Sequence, residues 1–164
     1  MRRSLMALVL SATAFSAGAQ LAPPDPDWQE VEAPPPPAFR LDRLIPLDLP
    51  LASLRFGVDP ASVTLASDGI VRYVVVASSS GAVNAIYEGI RCSTAQVKVY
   101  ARHNPETGWT LVPDGPWRSL HETLPSRHSL LIARTGACLG CGPNRSAVQI
   151  VRDLRAPVDT RFNN

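Results

Sequence analysis

Past its first two dozen residues the chain has no apolar run long enough to cross a bilayer, no dense run of Lys and Arg, and no internal repeat. A membrane-spanning helix needs about 20 apolar residues, so no transmembrane segment is expected. Nucleic-acid binders carry clustered positive charge, so nucleic acid is not an expected partner. A second closely spaced Cys or His pair, which structural zinc sites use, is also missing. Cys138, Cys141, Cys92 and one of His103, His121 or His128 would make only an irregular ligand set, and neither metal nor cofactor is expected. Haem attachment needs a histidine directly after a C-x-x-C, and residue 142 is Gly.

The machinery of common hydrolases is lacking too. The nearest match to a nucleophile elbow is "ASSSG" at 77–81, which has Ala77 where the first glycine belongs and leads into a strand-like run instead of a helix. Glu88 is the only acid between Asp68 and Glu106, so it has no sequence-near carboxylate for acid–base work. No catalytic residue is assigned.

What the chain does have begins with "MRRSLMALVLSATAFSAGA". Arg2 and Arg3, an apolar stretch and Ala17-Gly18-Ala19 together make a secretory signal peptide over 1–19, with cleavage expected after Ala19 and a periplasmic destination. No cysteine stands at the cleavage point, so no lipid anchor is expected. Loss of the two arginines takes the formal charge of +2 to near zero. Asp25, Asp27, Glu30 and Glu32 make the start of the mature chain acidic, whereas every remaining basic residue lies from Arg40 onward. An unknown envelope protein or an anionic envelope component is the partner class this charge distribution allows.

Residues 20–50 hold nine prolines. With so many fixed φ angles and missing donors, this segment reads as an extended arm excluded from helices and central strands. Trp28 is the exception in it, expected to dock on the folded body or on a partner.

A single α+β domain is expected over 51–158, followed by a tail at 159–164. Strand patterns run over 54–58, 62–66, 70–77, 83–92, 95–103 and "WTLVP", with turn residues between them. Short links favour an antiparallel meander. In 95–103, Val97, Val99 and Ala101 alternate against Gln96, Lys98 and Tyr100. A helix is expected within 124–134 and a second over 144–155, capped by Asn144 and burying Ala147, Val148, Val151 and Leu154 against the sheet.

"DGIVRYVVVASSSGAVNAIYEGIRC" (68–92) carries the greatest density of polar groups. Arg72 shares a strand face with apolar residues and needs a carboxylate. With a turn at 78–82, position 77 pairs near 83 and 72 near 88, which predicts a cross-strand Arg72–Glu88 ion pair with Arg91 as competitor. Asn84, Tyr87, Arg91 and Trp28 are the candidate interaction residues.

Three cysteines remain after the leader, and an oxidising compartment implies one disulfide and one spare thiol. Cys92 with Cys138 would staple the C-terminal segment to the sheet. Cys138 with Cys141, "CLGC" ahead of a helix, is the alternative and would make a thiol-redox pair. A thioredoxin fold, however, needs more chain after the motif than follows Cys141.

Taken together, "DWQE", the proline-rich arm, "FGVDPASVTLASDGIVRYVVV", "GAVNAIYEGIRC" and "VYAR" resemble the cryptic neisserial protein family, small proteins of beta-proteobacterial envelopes, across roughly residues 27–155. The resemblance implies a periplasmic location and no assigned enzymatic activity. A lipid anchor is suspected in some members, a pattern this chain departs from. The single late cysteine of similar sequences matches Cys138, which implies a Cys92–Cys138 bridge. The chain is thus expected to be a non-enzymatic envelope binding or structural module.

Overall fold

The runs IVRYVVVAS and VNAIYEGIR are rich in β-branched and aromatic side chains, which fit a pleated surface. In the computed structural model, which describes residues 25–49, 52–122 and 127–156, they are the central strands of one antiparallel sheet. The leader at 1–19 and the tail at 159–164 lie outside the described residues. In chain order the strands are β1 (Ile45–Leu47), β2 (Arg55–Val58), β3 (Thr64–Leu65), β4 (Ile70–Ser78), β5 (Val83–Arg91), β6 (Gln96–Asn104), β7 (Gly108–Leu111) and β8 (Arg118–Ser119). The spatial order is β1-β2-β4-β5-β6-β7, with β3 beside β4 and β8 beside β6. After the sheet come α1 (Arg127–Ile132), a π-helical turn (Ala133–Ala137), the small hairpin of β9 (Cys138–Leu139) and β10 (Gly142–Pro143), and α2 (Ala147–Arg155). The class is α+β.

Residues 70–77 of β4 are all buried, because both faces of the sheet are covered. On one face Val71, Tyr73, Val75, Ile90 and Val97 pack against Ile132, Ala137, Ile150 and Leu154 of the helical layer. On the other, Val74, Val76, Ala85, Tyr87, Tyr100 and Ala101 lie under Ala33, Phe39 and Leu44 of the proline-rich segment. A strand buried on both faces reads as a continuous apolar run, which is why "VVVA" shows no alternation. The segment is therefore a third layer of the fold. Its last part, Ile45–Leu47, is an edge strand on β2, a place that tolerates Pro46 because an edge residue can lack a ladder donor.

Two details differ from the sequence pattern. Tyr87 pairs with Ala101 and Glu88 with Val99, so Tyr100 is the extra residue of a β-bulge. The bulge moves Ala101 to the face of Lys98 and Tyr100, breaking the expected alternation. Ser146, not Asn144, caps α2, its Oγ accepting from the Gln149 N–H at 3.2 Å. Asn144 is buried, and its amide donates to the Gly136 carbonyl and to Asp153 Oδ2, both at 2.8 Å. Ile150 and Leu154 are buried and Ala147 and Val151 pack beside them, whereas Val148, at the margin of that face, is 72% exposed.

The Cys92–Cys138 disulfide, spanning 46 residues, ties the end of β5 to β9. Closing a loop of that length contributes about 4 kcal/mol in the chain-entropy account.

Candidate functional site

The β4–β5 hairpin decides which polar groups meet. Ser78 pairs with Val83, so Arg72 lies opposite Gly89 and Tyr73 opposite Glu88. This is one residue off the register expected from the turn. A one-residue slip flips every side chain to the other face, so the predicted Arg72–Glu88 ion pair does not form, and the two residues are buried on opposite sides of the sheet.

On the helical face, Glu88 is the hub of a buried cluster. Its Oε2 accepts from the Tyr73 hydroxyl at 2.9 Å and from Ser129 Oγ at 3.0 Å, and His128 Nε2 lies 3.0 and 3.1 Å from its two oxygens. Burial opposes the charge on Glu88, but the His128 cation and these donors outweigh it and hold the carboxyl below its ordinary range. Burial likewise opposes the His128 cation, and the Glu88 carboxylate more than compensates, raising the imidazole above its usual value. Phe56 fixes the His128 ring by stacking, with centroids 5.1 Å apart and planes 9° from parallel.

On the opposite face, Arg72 finds its carboxylate in Asp68, at 2.9 Å, and both side chains are fully enclosed. Arg72 Nη2 also donates to the Val31 carbonyl at 2.8 Å, and the Val31 N–H donates to Asp68 Oδ2 at 2.9 Å. The arm thus completes the pair. Beside it Glu30 accepts from Lys98 Nζ at 3.0 Å, the Tyr100 hydroxyl at 2.8 Å and the Trp117 indole at 3.2 Å. Trp28 docks on its own body: the Arg91 guanidinium lies 3.5 Å over its ring, Trp117 meets it edge-on, and its indole N–H donates to the Asp68 carbonyl at 2.8 Å. Tyr87 is buried against Tyr100 on this face. Gly89 makes room for Tyr100, since a Cβ there would come within 2.8 Å of its ring and of Ile70.

The helices cover only part of their face. Over the remainder lies a cavity of about 860 Å³. Phe56 and Ala77, and across the next pairs Ile86, Arg102 and Thr110, form its floor. Leu49 and Leu54 contribute one wall, and Arg127 and His128 another. Asn84, exposed at the end of β5, also lines it. No Asp or Glu lines the cavity among the described residues. Arg102 and Arg127 are exposed, and neither takes part in an ion pair with a described residue.

None of the cysteines lines this cavity. Cys138 is bonded to Cys92, so "CLGC" is not a disulfide pair, and Cys141 is a free, exposed thiol. The "ASSSG" segment ends β4 and turns into β5, closed by the Ser79 N–H donating to the Ala82 carbonyl at 2.9 Å. Among the described residues no group of three or more His, Cys, Asp and Glu is gathered for a metal, and no helix is long and apolar enough to cross a membrane. Sequence reasoning weighed His128 only as a zinc ligand and missed its pairing with Glu88, the roles of Asp68 and Ser129, and the cavity. Asp68, in the turn before β4, carried a usable signal, while His128 and Ser129 reach Glu88 from 40 and 41 residues away.

A family model described as the CNP1-like family matches residues 24–155. No curated protein and no solved structure matches the chain.

Proposed function

Because the chain belongs to the CNP1-like family, we propose that it acts as these residues suggest: an exported, periplasmic, non-enzymatic module that binds a ligand in the cavity beside Glu88. The single observation that carries the reading is a roomy cavity beside polar groups that are already spent on one another. Small-molecule sites have volumes of about 300–1,000 Å³ with apolar walls and a few polar groups, and the cavity of about 860 Å³ falls in that range. Ser129 is 1% exposed and gives its hydrogen bond to Glu88, and His128 Nε2 faces the same carboxylate. A nucleophile needs access to substrate as well as an adjacent base, and Ser129, enclosed beside the Glu88 carboxylate, lacks that access.

Export is supported by the basic start, apolar run and small-residue cleavage motif of residues 1–19. Recovery from the periplasm of a chain beginning at Gln20 tests it. For binding, the test is titration with anilinonaphthalene sulfonate. The reading predicts a saturable fluorescence rise with the wild-type chain that is weakened in Ile86→Trp, whose indole intrudes on the cavity floor, while the circular dichroism of the two proteins matches. Equal dye binding by the two folded proteins would contradict it.

A further inference from the structure

We infer that the cavity takes a single-chain amphipathic anion, an acyl carboxylate or acyl phosphate whose tail lies on Phe56 and Ile86 and whose headgroup meets Arg102 and Arg127. The inference rests on the binding reading above and specifies its ligand. Three observations on the lining carry it. Part of its floor, from Phe56, Ala77 and Ile86, and one wall, from Leu49 and Leu54, are apolar. Among the described residues its charged groups are all of one sign, since Arg102, Arg127 and His128 line it and no carboxylate does. Glu88, which contacts the lining residue His128, is 3% exposed and is held by His128, Tyr73 and Ser129.

The arrangement selects against other ligands. A cation would meet the two arginines with no compensating carboxylate among the described residues, and like-charge juxtaposition rejects wrong partners. A small inorganic anion would leave the apolar floor wet, losing the burial that drives binding. A guanidinium pairs well with either carboxylate or phosphate, so the headgroup is fixed by charge and the tail by area. The volume of about 860 Å³ has room for a twelve-carbon chain.

Isothermal titration of the full chain with monomeric dodecanoate, dodecyl phosphate, dodecanol, dodecyltrimethylammonium and acetate tests this, alongside flotation with anionic phospholipid vesicles. Saturable binding of dodecanoate and dodecyl phosphate is expected, with no binding of the cation or acetate. Shortening dodecanoate to decanoate weakens binding about tenfold, two methylenes being removed from the floor. Arg102→Gln and Arg127→Gln, both at exposed positions, each weaken dodecanoate about threefold and leave dodecanol unchanged. Dodecanol binding as tightly as dodecanoate, with no effect of the arginine variants, would overturn the anion and leave the binding role standing. Capture by vesicles without uptake of monomeric dodecanoate would overturn the cavity as the ligand's seat in favour of a membrane surface. Failure of every dodecyl compound to bind the folded wild-type chain would overturn this inference and the binding reading together.

Discussion

Replacing Glu88 by Gln removes the charge at the centre of the buried cluster and changes little in volume. At pH 6 the carboxyl, held below 4.5, is ionised, and the imidazole, raised above 6.5, is protonated. Removing one partner of a buried pair costs about 3–5 kcal/mol because the other charge stays buried without its counter-ion. The amide oxygen still accepts from Tyr73 and Ser129, which places the cost near the lower end, about 3 kcal/mol. For a domain of this size that is a fall of roughly 10 °C in Tm. The pH dependence is the sharper part. His128, raised in the folded state, contributes fully below about 6.5 and loses its contribution as pH rises through the folded value. Glu88, lowered in the folded state, contributes above about 4.5 and loses its contribution as pH falls through its folded value. The wild-type chain is therefore most stabilised by the pair in the mildly acidic window, and the gap to Glu88→Gln narrows as pH climbs from 6 toward 9. Thermal unfolding followed by circular dichroism at several pH values measures both quantities. Equal Tm values at pH 6, or a gap that widens toward pH 9, would refute the ion-pair argument.

Three further outcomes follow from the geometry. Trp28→Ala removes the ring that Arg91 covers and Trp117 abuts, costing about 2 kcal/mol; hydrogen exchange should rise through residues 25–40 while β4 and β5 stay protected, and unchanged exchange there would show that Trp28 does not anchor the layer. Gly89→Ala drives a Cβ into Tyr100 and Ile70, an overpacking cost of about 1–3 kcal/mol, and an unaltered unfolding midpoint would contradict that contact. Alkylation without reduction should label Cys141 alone and, after reduction, all three cysteines outside the leader; a recovered Cys138–Cys141 bridge would overturn the observed pairing.

The sheet was largely legible because β-branched runs and turn residues state strand and link directly, as in 70–78 and 83–91. The contents of the polar cluster were not, and the cause is arithmetic: one residue in the turn decides whether Glu88 faces Arg72 or His128. A bulge at Tyr100 has no sequence mark of its own, yet it reassigns the face of Ala101. The role of the proline-rich segment as a covering layer depends on Glu30 and Val31 meeting Lys98, Tyr100 and Arg72 across distant sequence. The cavity is shaped by where the helices stop, and no local pattern encodes that.

The central claim, that the chain functions by holding a ligand beside Glu88, is tested most directly by native mass spectrometry of the protein purified under gentle conditions from the cells that make it. The account predicts a non-covalent adduct that is acidic and acyl-bearing, present on the wild-type chain and at lower occupancy on Ile86→Trp. An adduct at equal occupancy on Ile86→Trp, or a wild-type chain that carries none and acquires none from a lipid extract, would contradict it.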